Sequence, residues 1–253
     1  MPFISVAGVR LEYEWIGQDQ QGPEPVVLLH EGLGSVSMWK DFPQRLSQAV
    51  GRPVFVYSRR GYGHSDPLTA PRNVRYMHDE ALQTLPELLD RLGIDRPLLF
   101  GHSDGASIAL IHAAERARPV TGIIVLAPHL FVEDISIAGI EAAKTAYLET
   151  NLRERLARHH DDVDGAFWGW NNIWLDPEFR NWNIEASVAK LGCPILGIQG
   201  DADEYGTLNQ IERIAALTPD VQLVKLKGCG HSPHRDNPEA VLSAAVRWLP
   251  SQR

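Results

Sequence analysis

Three residues have the types, spacing and local settings that nucleophilic catalysis needs: Ser103, Asp203 and His231. A serine hydroxyl attacks well only when a base takes its proton, and the base needs a third group to hold and stabilise it. Ser103 is the centre of Gly101-His102-Ser103-Asp104-Gly105, which follows the apolar run Pro97 to Phe100 and precedes a helix-like run from Ala106 to Ala117. Strand, sharp turn and helix in that order present a strained serine above the end of a sheet. Gly101 and Gly105 leave room for strand and helix to pass closely at the turn. His231, between Gly230 and Ser232, is the candidate base. Asp203 is the candidate acid; Asp201 competes with it, and Glu204 fills the role only with a shifted register. His102 and His234 read as packing or hydrogen-bonding residues, and Cys229 as a small buried one.

Acyl transfer by such a serine also needs preorganised N–H donors for the oxyanion. One expected donor is the backbone N–H of Asp104, the residue after the nucleophile. The other should come from the loop His30-Glu31-Gly32-Leu33-Gly34-Ser35, with Gly32 the first choice and Leu33 the second. Glu31 is awkward there, because a free carboxylate beside an oxyanion opposes catalysis. It is expected to turn away and pair, with Arg59 or Arg60 as partner. No metal or organic cofactor is needed for this chemistry.

These groups must be held by a sheet. Val26 to Leu29, Pro53 to Tyr57, Pro97 to Phe100, Ile123 to Ala127, Pro194 to Gln199 and Val221 to Leu226 are short apolar or β-branched runs, each read as a strand. Helical patterns alternate with them, around Trp39 to Ala49, Arg75 to Leu92, Leu208 to Leu217 and Pro238 to Leu249. That alternation predicts an α/β fold with a mostly parallel sheet covered by helices on both faces. Catalytic groups then gather at the carboxyl ends of the strands. An N-terminal hairpin is expected over Phe3 to Ile16, turning at Ala7-Gly8, and a loop over Gln18 to Pro25. Between His129 and Lys190 the strand rhythm stops. Ile140 to Leu156 has helical spacing, and Trp168, Trp170, Trp174 and Trp182 follow. This stretch reads as a helical insertion over the sheet, with the tryptophans as its core or as pocket lining.

The segments His30-x-Gly32, Arg60-Gly61-Tyr62-Gly63-x-Ser65, Gly101-His102-Ser103-x-Gly105, Gly200-x-x-Asp203 and Gly230-His231-x-Pro233-His234 together resemble the α/β-hydrolase superfamily across nearly the whole chain. The resemblance implies a core formed by 1–128 and 191–253, with a helical cap over 129–190 that shapes the pocket. Glu31, Trp168, Trp170 and Trp174 are the candidate pocket residues. A serine at the elbow argues against the dehalogenase and epoxide-hydrolase relatives, which use aspartate. The lack of a tryptophan after Ser103 argues against a proline-iminopeptidase-like activity. Ser58 stands where many relatives carry an aspartate. The Ser-Asp-Gly form is similar to that of valacyclovir-hydrolase-like esterases, in which this aspartate binds a substrate amino group; Asp104 otherwise reads as a helix N-terminal residue.

The leading expectation is therefore a serine hydrolase for a carboxylic ester or related acyl compound, carboxylesterase-like. Alternatives are a C–C bond hydrolase of vinylogous diketones, a thioesterase, amidase or cofactor-free perhydrolase, and a ligand receptor of the same fold with little turnover. At 253 residues and 44% hydrophobic the chain can bury one sizeable core. Its net charge of -8 and the lack of a Lys/Arg run point away from nucleic acid, leaving a small molecule as the expected partner. Two cysteines, Cys193 and Cys229, are too few for a disulfide framework, so a cytoplasmic setting is expected. Met1 to Gly8 lacks a signal-peptide pattern, and Thr121 to Val132, broken by Pro128 and His129, is too short to span a membrane.

Overall fold

The computed structural model describes residues 2–18, 24–115 and 117–249. Eight strands form one sheet: β1 (Phe3–Val6), β2 (Val9–Ile16), β3 (Val26–Leu29), β4 (Val54–Tyr57), β5 (Leu98–His102), β6 (Gly122–Leu126), β7 (Ile195–Gly200) and β8 (Val221–Leu226). Their spatial order is β1-β2-β4-β3-β5-β6-β7-β8. The pairs β1/β2 and β2/β4 are antiparallel, and the rest are parallel. The expected hairpin is β1 and β2, whereas most of the loop expected over 18–25 lies outside the described residues.

Strands β3 to β7 are buried along their whole length, because both faces carry helices. Alternate residues therefore feed two cores. Val27, Leu29, Leu99, Ile123 and Val125 pack with Ile108 and Leu110 on one side. Val26, Leu28, Phe100, Ile124 and Leu126 pack with Trp39, Phe42 and Trp248 on the other. This two-sided burial is why no polar alternation marks these strands.

Several helix bounds differ from the sequence pattern for local reasons. The helix expected from Trp39 starts at Phe42, with Pro43 in its first turn, after a separate 3-10 turn over Val36–Trp39. The run expected as one helix over 75–92 is broken by a wide π turn at Glu80–Thr84. Pro86 stands two residues beyond it; its ring and missing N–H forbid regular α bonding to the preceding turn, and the wider turn absorbs the misfit. The helix after Ser103 runs Asp104–Ala114 rather than from Ala106 to Ala117. Between β6 and β7 the described chain is helical: Asp134–Glu149, Leu152–Leu156, Val163–Trp174 and Glu185–Val188, with one isolated bridge, Phe131 to Asn183. The helix expected over 140–156 is interrupted at Thr150, whose extended backbone ends the first piece.

The tightest approach in the fold is at the Ser103 turn. A Cβ on Gly105 would overlap the Leu29 carbonyl, and one on Gly101 would overlap the Gly105 carbonyl. Both obstacles are backbone and move only with the strand or helix that carries them. Gly105→Ala is therefore expected to cost about 2 kcal/mol or more. Urea unfolding of the purified variant checks this; a midpoint equal to wild type at the same slope would show that β3 yields without strain.

Candidate active site

Strand β5 ends at His102, and the chain turns into the helix at Asp104. Ser103 sits between them at φ 53 and ψ -119, a backbone region that side-chain-bearing residues rarely enter. Such a conformation costs on the order of 1–3 kcal/mol and persists only where its surroundings over-determine it. Here the Ser103 N–H donates to the Leu126 carbonyl at 2.9 Å, and its own carbonyl accepts the N–H groups of Ala106 and Ser107.

Ser103 Oγ lies 2.9 Å from Nε2 of His231, and Nδ1 of His231 lies 2.8 Å from Oδ1 of Asp203. A carboxylate only accepts, so Nδ1 carries the proton and Nε2 is left to accept from the serine. Asp203 also accepts the N–H groups of Tyr205 at 2.8 Å and Gly206 at 3.2 Å, and Nε2 of Gln199 at 3.0 Å. Burial works to raise its carboxyl, but the hydrogen bond and charge of His231 and the Tyr205 N–H hold it below the usual carboxylate range. The competing acids have other partners. Asp201 accepts the Gly228 N–H at 2.6 Å, and Glu204 accepts the main-chain N–H of His231 at 3.1 Å. On the other side, the His231 carbonyl accepts Nε2–H of His102 at 2.7 Å. Both backbone groups of His231 are thus held. His234 packs on the rings of Trp39 and His102.

The loop after β3 is organised by His30. Its Nδ1–H donates to the Glu31 carbonyl at 2.6 Å, and its Nε2 accepts the Arg59 N–H at 3.0 Å. One donating and one accepting nitrogen define a neutral imidazole, and burial followed by the Arg59 charge keeps its pKa well below the ordinary value. Arg59 Nη2 donates to the same Glu31 carbonyl at 2.8 Å. Gly32 allows Trp170 to lie directly on the backbone: a Cβ there would overlap its indole nitrogen. Gly32, Leu33 and Ser103 line one cavity of about 170 Å³. Asp104 is the first residue of its helix, so its N–H has no intrahelical acceptor.

Glu31 does not turn away, since it lines the same cavity as Ser103, and it is paired by residues other than the two expected. Oε1 lies 3.3 Å from Arg235 Nη2, and Oε2 lies 3.4 Å from His102 Nδ1. Arg59 reaches its carbonyl instead, and Arg60 bonds Pro67 and Thr69. Burial favours the neutral Glu31, yet His102, Arg235 and His234 outweigh it and hold the carboxyl well below its usual range. Asp104 is also committed: it is fully buried, Oδ2 accepts Tyr76 OH at 2.8 Å, and Arg59 Nη2 lies 3.9 Å away. Its carboxylate is not among the groups lining the cavity. Ser58 is satisfied by a carboxylate from another strand, donating to Glu12 Oε2 at 2.6 Å.

Trp170 and Trp174 line the cavity; Trp168 does not. Two residues before Trp170 on the same helix, Trp168 faces outward and borders a groove with Leu68 and Arg72. A family model described as Alpha/beta hydrolase family matches residues 26–244. The chain belongs to the α/β hydrolase family. A proline iminopeptidase of Heyndrickxia coagulans is 22% identical, covering 98% of each chain. A 2-hydroxy-6-oxo-6-phenylhexa-2,4-dienoate hydrolase of Burkholderia cepacia is 24% identical over 89% of this chain and 87% of that protein. A carboxylesterase structure from Nitrososphaera gargenis, 19% identical, superposes with a TM-score of 0.80 over 99% of this chain and 98% of that one. At these identities the structural likeness is one of fold.

Sequence reasoning missed several residues of this hydrolase's cavity: Met38, His129, Ile140, Leu156, Tyr205 and Arg235. His129 had a signal, since it follows β6 and so stands at the carboxyl edge of the sheet. Burial, then the nearby His231, lowers its pKa to about 3. It is therefore a neutral wall whose ring packs on Trp174 at 4.8 Å. The depressed Asp203 carboxyl carries a stability consequence. The unfolded chain binds a proton near pH ~4, whereas folded Asp203 does so only below that, so its contribution is present above pH ~4 and lost on further acidification. Asp203→Asn is expected to be less stable than wild type at pH ~7, with the gap narrowing below pH ~4. Urea midpoints at both pH values check this; parallel pH profiles would refute it.

Proposed function

We propose that this α/β hydrolase cleaves a carboxylic ester, or a related acyl compound, through an acyl-enzyme on Ser103. Ser103 Oγ bonds to the substrate carbonyl carbon while its proton passes to His231 Nε2. The carbonyl π pair moves onto oxygen, where the N–H of Asp104 and that of Gly32 or Leu33 receive it. Collapse breaks the bond to the leaving oxygen, which takes the proton from His231. A water then repeats the sequence in reverse and frees the acid and Ser103. Asp203 stays ionised throughout and stabilises the imidazolium.

The observation that carries this reading is the continuous chain Asp203–His231–Ser103, at 2.8 and 2.9 Å, at the wall of a cavity. The helical segment 129–190 acts as the cap of that cavity, with Ile140, Leu156, Trp170 and Trp174 forming its apolar side. A volume of about 170 Å³ suits a short acyl group. The substrate is a small molecule, and no helix among the described residues is long and apolar enough to cross a membrane.

Hydrolysis of a short-chain nitrophenyl ester tests the reading. Wild type should turn over many times per site. Ser103→Ala should lose nearly all of that rate, and Asp203→Asn should lose about 10³ to 10⁴ of it. Activity surviving in Ser103→Ala would overturn the nucleophile. One acylation event without turnover would instead favour a receptor of the same fold. Turnover confined to a vinylogous diketone would favour C–C hydrolysis, the reaction class of the Burkholderia cepacia relative.

A further inference from the structure

The cavity has two chemically different ends. His129, Ile140, Trp170 and Trp174 are each 7% exposed or less and form its closed, largely apolar end. Leu33, Met38 and Ser232 are half-buried and Arg235 is exposed, so these lining residues mark the mouth. His231 hands its proton to the leaving group, and Ser232 is the next residue after His231 and Arg235 the fourth. A leaving group that departs toward this mouth, with the acyl group in the apolar end, meets these residues.

Arg235 lines the cavity at this mouth, and Lys40 and Arg158 each stand two residues from a lining residue, Met38 and Leu156. Arg235 Nη2 donates to the Met38 carbonyl at 3.3 Å, which seats it against the turn that ends in Lys40. His159 Nδ1 lies 2.8 Å from Ser37 Oγ in the same turn, which brings in Arg158. Lys40 and Arg158 are exposed, and among the described residues neither has a carboxylate within ion-pair distance. Burial, then Arg235, Lys40 and Arg158 in that order, lower the pKa of His159, so all three charges act on one point. Glu31, which also lines the cavity, offsets Arg235, and Asp161 accepts a hydrogen bond from His64 at 2.7 Å. Lys40 also holds a backbone φ of 55, a strained conformation on an exposed charged residue. Among the described residues, Lys40 and Arg158 are thus left without an ion-pair partner, on a chain whose net charge is -8.

We propose that this mouth selects esters whose leaving group carries an anion, a carboxylate in the first instance, recognised by Lys40, Arg158 and Arg235. The inference rests on the serine-esterase reading above and adds the substrate class to it. Clefts lined by one sign of charge raise the capture rate of the opposite sign by about 10-fold to 10³-fold. Lys40 and Arg158 supply that field, and Arg235 lines the cavity itself.

The test uses two acetyl esters of the same shape, 3-acetoxybenzoate and 3-acetoxybenzamide, with their difference in hydroxide lability divided out. The ratio of kcat/KM for carboxylate over amide should be about tenfold or more in wild type at low salt. It should collapse toward one when salt is raised from roughly 0.01 M to roughly 1 M, which shortens the screening length from about 30 Å to about 3 Å. The double variant Lys40→Gln, Arg158→Gln should lose most of the ratio. Lys144→Gln, an exposed cation on the Asp134–Glu149 helix, should keep it. The ratio is internal to each protein, so a partly unfolded preparation does not move it. Equal rates for both esters would overturn the inference alone, as would a preference that survives high salt or the double variant. Turnover of neither ester would overturn the esterase reading and this inference together.

Discussion

The site depends on a buried guanidinium. Arg59 is 2% exposed and lies under the junction of the β3 loop and the Ser103 turn. Its Nη2 holds the Glu31 carbonyl, its main-chain N–H fixes the tautomer of His30, and the Asp104 carboxylate faces it at 3.9 Å. A buried charge without partners would cost several kcal/mol. Burial does work against this one, but Tyr62, Asp104 and Glu80 around it leave the guanidinium even more firmly protonated than in water. The two chain segments from which oxyanion donors are proposed are therefore tied to one cation. Asp104 is spent on that cation and on Tyr76, which in turn accepts the Trp174 indole N–H at 3.1 Å. The web continues from the core into the Val163–Trp174 helix, which lines the cavity with Trp170 and Trp174.

A second web holds the histidine. Glu204 and His102 grip the two backbone groups of His231, and Asp203 grips its ring. His102 lies in the elbow itself and touches Glu31, so the loops after β3, β5, β7 and β8 meet in a few side chains. A Cβ on Gly200 would overlap the Cys229 carbonyl, which shows how closely the acid and histidine loops pass. Geometry of this kind limits how far any one loop can drift without moving the others.

Most strands and the Ser103, Asp203 and His231 loops were legible because their signals are local. Strands buried on both faces are unbroken apolar runs, and β3 and β8 match their sequence bounds residue for residue. What was not legible depends on pairing between distant segments. Glu31 invited a partner from the next loop, Arg59 or Arg60, yet Arg235 lies 204 positions away and no periodicity connects them. Ser58 in place of an aspartate made no sense alone; Glu12, on the neighbouring strand, supplies the missing carboxylate. Trp168 and Trp170 differ by about 200° of helical rotation, so one faces the cavity and the other the outer groove, a distinction that composition cannot make.

The division of labour within the fold follows from the same constraint. Residues that bond to one another across the site stand at strand ends, where the sheet fixes their separation to fractions of an ångström. Residues that only fill space or carry exposed charge, such as Ile140, Leu156, Arg158 and Lys40, stand on the helical segment and on the turn it leans against. A change at the first set breaks hydrogen bonds that no neighbour can replace. A change at the second set alters the shape or field of the cavity and leaves the Asp203–His231–Ser103 chain untouched. Relatives as different as a proline iminopeptidase and a 2-hydroxy-6-oxo-6-phenylhexa-2,4-dienoate hydrolase fit that logic, since one fold hosts many activities.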